Sequence, residues 1–272
     1  MGGAALKCII GKNYYEFVII QNRKILLFGR QEDLSLSSYA ETVRLLIALT
    51  KEKRINVIET NIGLYDDIEY QKIIEIPIMN YESTYKSVEW EINRTYLDKS
   101  KYYFSFEKVY KNKKTNGIYL ATIKKNIIDE IINVLNENKI TINSIETNTI
   151  STIRILNSYY RLKQKCIVVS KLDKFYFIYI YRDGKCICVD EINNNLKVKE
   201  QIYNLIKQEN LNNNFYIYLD NLNGNEIGLE ENLVGINRSM DINKMKVMFS
   251  PLGEALKHTA SLSLMGLMLR RG

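Results

Sequence analysis

The residues able to do chemistry in this chain gather at strand turns. The stretch CIVVSKLDKFYFIYIYRDGKCICVDEI, residues 166–192, reads as three β-strands folded back on themselves, with turns over 170–173 and 182–185. Such a meander either grips phosphate or is a plain sheet. In a phosphate grip, glycine lets backbone N–H groups approach the oxygens and lysine answers their charge. A second set of short strands, over 6–10, 14–20 and 24–28, carries Gly11 and Lys12 at its first turn. The other candidates point to structure. Cys186 and Cys188 share one face of a strand, but His258 is the only histidine, so Cys8, Cys166, Cys186 and Cys188 read as reduced, buried thiols and no metal site is expected. With one histidine no Ser-His-Asp or Cys-His arrangement is credible, and the acid pairs Asp66-Asp67 and Glu230-Glu231 read as solvated loops. The densest basic stretch is KVYKNKK, 108–114. It reads first as a solvated turn, and second as a contact for phosphate or anionic lipid. The nearby Tyr102, Tyr103 and Phe104 belong to a run, 101–110, whose aromatics and charges alternate as a strand's do, so no nucleic-acid partner is expected.

The elements that must position these residues follow from periodicity. The chain has 272 residues, 46% hydrophobic and 25% charged, with net charge +7, enough for one large or two joined domains. No apolar run reaches the roughly 18 residues of a membrane span, and the start, MGGAALK, has no long apolar core of the signal-peptide kind. Ser38 precedes a helix over 39–53, and strands follow over 57–59 and 70–76, the latter stopped by Pro77. A helix over 81–94 leads to an aromatic strand over 101–110 and another over 118–123. The helix over 124–138 aligns Ile127, Ile128, Ile131, Ile132 and Leu135. A strand over 142–146 and a helix over 150–162 lead into the meander. Beyond it come a helix over 196–208, strands over 215–219 and 233–236, and a last helix over 252–269. Each half opens with three strands, then a helix, then a strand. This repeat of architecture indicates an α/β, actin-like, duplicated ribonuclease H-like fold.

Three stretches carry a resemblance. YQKIIEIPIMNYESTYKSVEWEINRTY resembles the part of the PilM family of type IV pilus assembly proteins in which a strand ending in Pro leads to a helix with a Trp-Glu pair, here Trp90-Glu91. GIYLATIKKNIIDEIINVLNENKITINSIETNTISTIRIL resembles the family's next strand-helix-strand-helix block, and ASLSLMGLMLRR its C-terminal helix. The resemblance implies a first half over 1–76, an inserted small α/β subdomain over 77–123, a return to the first half over 124–164 and a second half over 165–272. It also implies a cytoplasmic scaffold recruited to the inner face of the cell membrane, touching the membrane only through partners. Those partners are the N-terminal tail of a PilN-like membrane protein, held beside the insert, and other pilus platform or motor components. On this chain the groove falls on Tyr85, Val88, Glu89, Trp90, Ile92 and Asn93. Trp90 has a second reading, as core.

The same resemblance bears on nucleotide. Actin-like ATPases use an Asp-x-Gly loop in each half, the Asp organising Mg²⁺ and the attacking water. Laid on this chain, the first Asp falls on Ile9, the second Gly on Gly11 and the following Lys on Glu16. In the second half the Asp falls near Ser170 and the Gly near Leu172, and of a later Gly-Gly pair only Gly224 remains. Asp173 reads as an ordinary turn residue. Gly11, Lys12, Ser170, Lys171 and Gly224 therefore read first as plain turn residues, and second as a relic phosphate site. The reading is a non-enzyme with no cofactor, and the alternative is an ATPase using ATP with Mg²⁺.

Overall fold

The computed structural model describes residues 3–34, 36–95, 99–160, 162, 165–193, 195–209, 216–220 and 260–270. The chain opens with β1 (Ala4–Ile10), β2 (Tyr15–Gln21), β3 (Lys24–Gln31), α1 (Tyr39–Glu52) and β4 (Val57–Leu64). Then come β5 (Ile68–Pro77), α2 (Tyr81–Thr95), β6 (Tyr102–Lys111), β7 (Thr115–Lys124), α3 (Lys125–Glu137), β8 (Thr141–Thr147) and α4 (Asn148–Ile155). The second half holds β9 (Cys166–Leu172), β10 (Phe175–Arg182), β11 (Lys185–Ile192), α5 (Asn195–Gln208), β12 (Tyr216–Asp220) and α6 (Leu262–Met268).

The first sheet runs β3-β2-β1-β4-β8, and the second runs β11-β10-β9-β12. In each, two hairpins make the meander and the next strand returns parallel to the first, β4 beside β1 and β12 beside β9. Both second hairpins close with two-residue turns in the left-handed region, Asn22-Arg23 and Asp183-Gly184, whose twist suits the flanking strands. Ser38 starts α1, as its position predicts, by accepting from the Glu41 N–H. The helix lays Val43, Leu46 and Ile47 against the first sheet together with Ile127, Ile131 and Leu135 of α3. The sheet's other face joins β9, β10, α4 and α6 in a second core, through Ile9, Tyr14 and Val18 on one side and Val168, Phe177 and Leu264 on the other.

Helices α4 and α6 meet closely. Thr152 and Ser263 share a hydrogen bond of 2.8 Å, and a Cβ on Gly266 would drive into the Ser151 carbonyl. Lys7, buried on β1, donates to the Met268 carbonyl at 3.3 Å and the Arg270 carbonyl at 2.7 Å, a cation at the C-terminal end of α6. Glu146 accepts from Arg154 at 2.7 Å and from Arg270, and Arg154 also reaches Glu107 of β6 at 3.3 Å. This network ties the small sheet to both halves.

Four readings from sequence change. The strand over 70–76, read within a first half ending at residue 76, lies outside the first sheet. As β5 it pairs with β7 in the small sheet β5-β7-β6, because register with a partner, and not local pattern, decides sheet membership. The helix over 150–162 is α only to Ile155 and continues as a π-helical turn, Leu156–Tyr160. The last helix does not run unbroken over 252–269: Ser261 is extended and caps α6. The first turn of the second meander is Asp173-Lys174, not 170–173. The strand read over 233–236 lies outside the described residues.

Candidate functional site

The candidate phosphate site lies where the first hairpins of the two halves approach one another. Between β1 and β2 the chain turns through Gly11, Lys12, Asn13 and Tyr14, closed by the Gly11 N–H to the Tyr14 carbonyl at 2.9 Å. Lys12 bends toward the loop after β4. Its ammonium pairs with Asp67 at 2.6 Å, and its N–H donates to Asp66 at 3.4 Å. The Tyr39 hydroxyl also donates to Asp66, and burial raises the carboxyl's pKa above the ordinary range. The acid pair is therefore structural, not the solvated loop read from sequence.

Tyr65 fills the space beside the turn. Its ring sits where a side chain on Gly11 would have to go, so packing accounts for this glycine. The ring lies 5.4 Å from Tyr14 and 5.7 Å from Phe175 of the second half, both edge-on. Its hydroxyl donates to Asp173 at 3.4 Å, and Tyr14 and Tyr65 are fully buried. The two turns are thus joined through aromatic rings.

The second-half residues sit differently from the reading. Leu172 pairs directly with Phe175, leaving a two-residue turn with Asp173 at φ 53°. Such a turn has few N–H groups to converge on an anion. Ser170 and Lys171 lie inside β9, and the Ser170 hydroxyl donates to Asp220 at 2.6 Å. Gly224 lies outside the described residues. Ile9 is wholly buried in the apolar core between the halves, where it offers no ligand to a hydrated Mg²⁺. Glu16, at the position where the resemblance expects lysine, accepts from the Ser261 N–H at 2.9 Å and from the Ser261 hydroxyl. Asp220 accepts from the Leu262 N–H at 3.4 Å. Burial pushes Glu16 up to about 7 and Asp220 up to about 6. The two carboxylates, one per half, hold the start of α6. Among the described residues no cluster of His, Cys, Asp and Glu is arranged to hold a metal.

Tyr65, Phe175 and the Glu16–Ser261 contact are the residues that sequence reasoning missed. The available signal was Glu16 itself, a carboxylate inside the apolar run YYEFVII, which calls for a buried partner.

The second candidate is the outer face of the small sheet. Asn80 starts α2 by accepting from the Ser83 N–H at 2.9 Å. Val88 and Ile92 pack into the sheet against Ile76, Ile118 and Leu120, so they form a floor and are removed from the surface-lining set. Tyr85 rests 5.2 Å from Phe104, and Glu89 and Asn93 reach the surface of the same helix. Trp90 is 62% exposed, which excludes the core reading, and the Arg94 guanidinium lies 5.2 Å from its ring.

Two halves of like topology, closed over buried helices with a small sheet inserted after β4, define an actin-like fold. Solved structures show the same over nearly the whole chain. It is similar to the PilM–PilN type IV pilus biogenesis complex at TM-score 0.77 and 12% identity, covering 98% of each chain. It is similar at TM-score 0.65 and 13% identity to a Bacteroides thetaiotaomicron protein described as having an actin-like ATPase fold and unknown function, over 98% of this chain and 96% of that one. The cytoplasmic domain of EpsL, an inner-membrane component of the Vibrio cholerae type II secretion system, matches at TM-score 0.55 and 8% identity, over 96% of this chain and 98% of that one. No family model matches the sequence, and a search of curated proteins found no match.

Proposed function

We propose that this chain is a non-catalytic, actin-like scaffold of a type IV pilus or related secretion platform, working at the cytoplasmic face of the inner membrane. Its partner is the N-terminal tail of a PilN-like membrane protein, and the platform or its motor supplies further partners. The observation that carries the reading is the Tyr65 ring set between the two hairpin turns, where an actin-like ATPase needs space for phosphate. The full-length likeness to a PilM–PilN complex supports the choice of partner. The surface of α2 that faces water, with Tyr85, Trp90 and Asn93 exposed and Glu89 half-buried, offers the tail aromatic and polar contacts, while Val88 and Ile92 on the opposite face hold the helix to the small sheet. Among the described residues no helix is long and apolar enough to cross a membrane, so in this reading the partner supplies the anchor.

Calorimetry tests both parts. A synthetic peptide of the partner's N-terminus is expected to bind, and Mg-ATP is not. Micromolar Mg-ATP binding would overturn the non-catalytic reading, and a silent peptide titration would overturn the partner.

A further inference from the structure

The basic stretch 108–114 has no part in that function. β6 and β7 are joined by a tight turn, closed by the Asn112 N–H to the Thr115 carbonyl at 2.8 Å. Lys108, Lys111, Lys113 and Lys114 are all exposed on and around it. Among the described residues none of the four is in an ion pair. The neighbouring acids are engaged elsewhere. Glu75 accepts from Tyr110 at 2.9 Å and Asn112 at 3.0 Å, and Glu82 pairs with Lys86 at 2.7 Å.

The same tip carries exposed apolar groups. The Ile78 N–H donates to the Lys114 carbonyl at 3.1 Å, which fixes the approach to α2 against the turn. Ile78 is 45% exposed and Tyr81 is 75% exposed. The Tyr81 ring stacks on Phe106 at 5.5 Å, and Lys108 lies two residues from Phe106 on the same face of β6. This end of the small sheet thus combines an aliphatic group and an amphipathic ring, at the approach to α2, with four ammonium groups on and beside the β6–β7 turn. Cations around a shallow apolar centre match an anionic lipid surface: ammonium groups sit at headgroup level while the ring and the isoleucine enter the boundary below. Nucleic acid fits less well. Tyr81 is already stacked on Phe106, and Ile78 offers a base no π-face.

We infer that this tip of the small sheet docks directly on an anionic membrane surface, with Lys108, Lys111, Lys113 and Lys114 facing the headgroups and Ile78 and Tyr81 entering the interface. The contact is independent of any partner tail. It orients the scaffold with its small sheet toward the lipid.

The test is co-sedimentation of the full chain with vesicles of phosphatidylcholine alone and of phosphatidylcholine mixed with phosphatidylglycerol. Binding is expected only to the mixed vesicles and is expected to weaken as salt is raised. Replacing all four lysines with glutamine is expected to lower partitioning on the order of 100-fold or more, from roughly five-fold per lysine. Ile78→Ser with Tyr81→Ser is expected to weaken it with the salt dependence kept. All six side chains are exposed, so unchanged thermal midpoints will show that the variants fold. Equal binding to neutral vesicles, no binding to mixed vesicles, or full binding by the four-lysine variant would overturn the inference. A single-stranded oligonucleotide captured by these lysines while mixed vesicles stay free would replace it with nucleic-acid binding.

Discussion

The seam between the halves and the outer face of the small sheet both gather aromatic rings, and they use them in opposite ways. In the seam Tyr14, Tyr65 and Phe175 meet edge to face, with Tyr14 and Tyr65 shut away from water. The ionisable groups around them are spent inside the protein: Lys12 on Asp67, Glu16 on Ser261, Asp220 on Ser170. On the small sheet Tyr81 and Trp90 stand in water at 75% and 62% exposure. Burying a large ring stabilises by roughly 2–3 kcal/mol, so rings in the seam contribute to stability and those left in water are available for binding. The difference is one of packing: the seam keeps its rings and charges inside the protein, and the insert presents its rings to water.

The largest expected effect lies at the back of the seam. Gly266→Leu places a branched side chain into the Ser151 backbone. Helix α4 is buried along this face and has nowhere to retreat, so the cost should be about 4 kcal/mol or more. Denaturant unfolding will show it, and a loss below about 1 kcal/mol would mean that the α4–α6 contact is looser than described.

Tyr65→Ala comes next. It empties the space beside Gly11 and should cost about 3 kcal/mol. It also sharpens the comparison, because it restores room without restoring ligands. Ile9 and Glu16 remain, so Mg-ATP is still expected not to bind by calorimetry. If nucleotide bound to this variant, the ring alone would be what closes the site.

Glu16→Gln probes the buried charge. The folded-state pKa of Glu16, about 7, lies above that of an unfolded glutamate, about 4.3. The stability this group contributes is therefore full below about pH 4 and is lost as pH rises through 7. Asp220 and Glu191, raised by burial to about 6 and about 7, act in the same direction. Glutamine does not titrate, so the variant should gain on the parent by about 2 kcal/mol between pH 5 and pH 8. Unfolding midpoints at the two pH values measure it. A constant difference between parent and variant would show that Glu16 carries no such shift.

What sequence could and could not reveal follows from the range of the interactions. The α3 stripe, the Ser38 cap and the Asp183-Gly184 turn are local, and all three stand in the structure. Gly11 and Lys12 likewise fall at the β1–β2 turn where they were read. The pairing of Tyr65 with Gly11 and Phe175 joins residues more than fifty and a hundred positions apart, beyond any local pattern. In SKLDK only Leu172 is apolar, so the pattern cannot say where β9 ends. Only the Leu172–Phe175 register does. On α2, steps of about 100° per residue put Val88 and Ile92 together on one face and Trp90 opposite them. Treating all three as one groove ignored that spacing.

The smallest expected effect tests the other side of the comparison. Trp90→Ala removes the largest side chain on α2, yet the ring touches little beyond the Arg94 guanidinium. Most of its surface is in water already, so truncation creates no cavity. The Arg94–Glu91 pair, at 3.1 Å, does not depend on it. Folding stability should change by about 0.5 kcal/mol or less, while affinity for a bound partner tail should fall by a factor of ten or more, on the order of an aromatic hot spot. The two readouts must separate. If unfolding shows a loss comparable to Tyr65→Ala, Trp90 is core after all, and the small sheet would share the structural role of the seam.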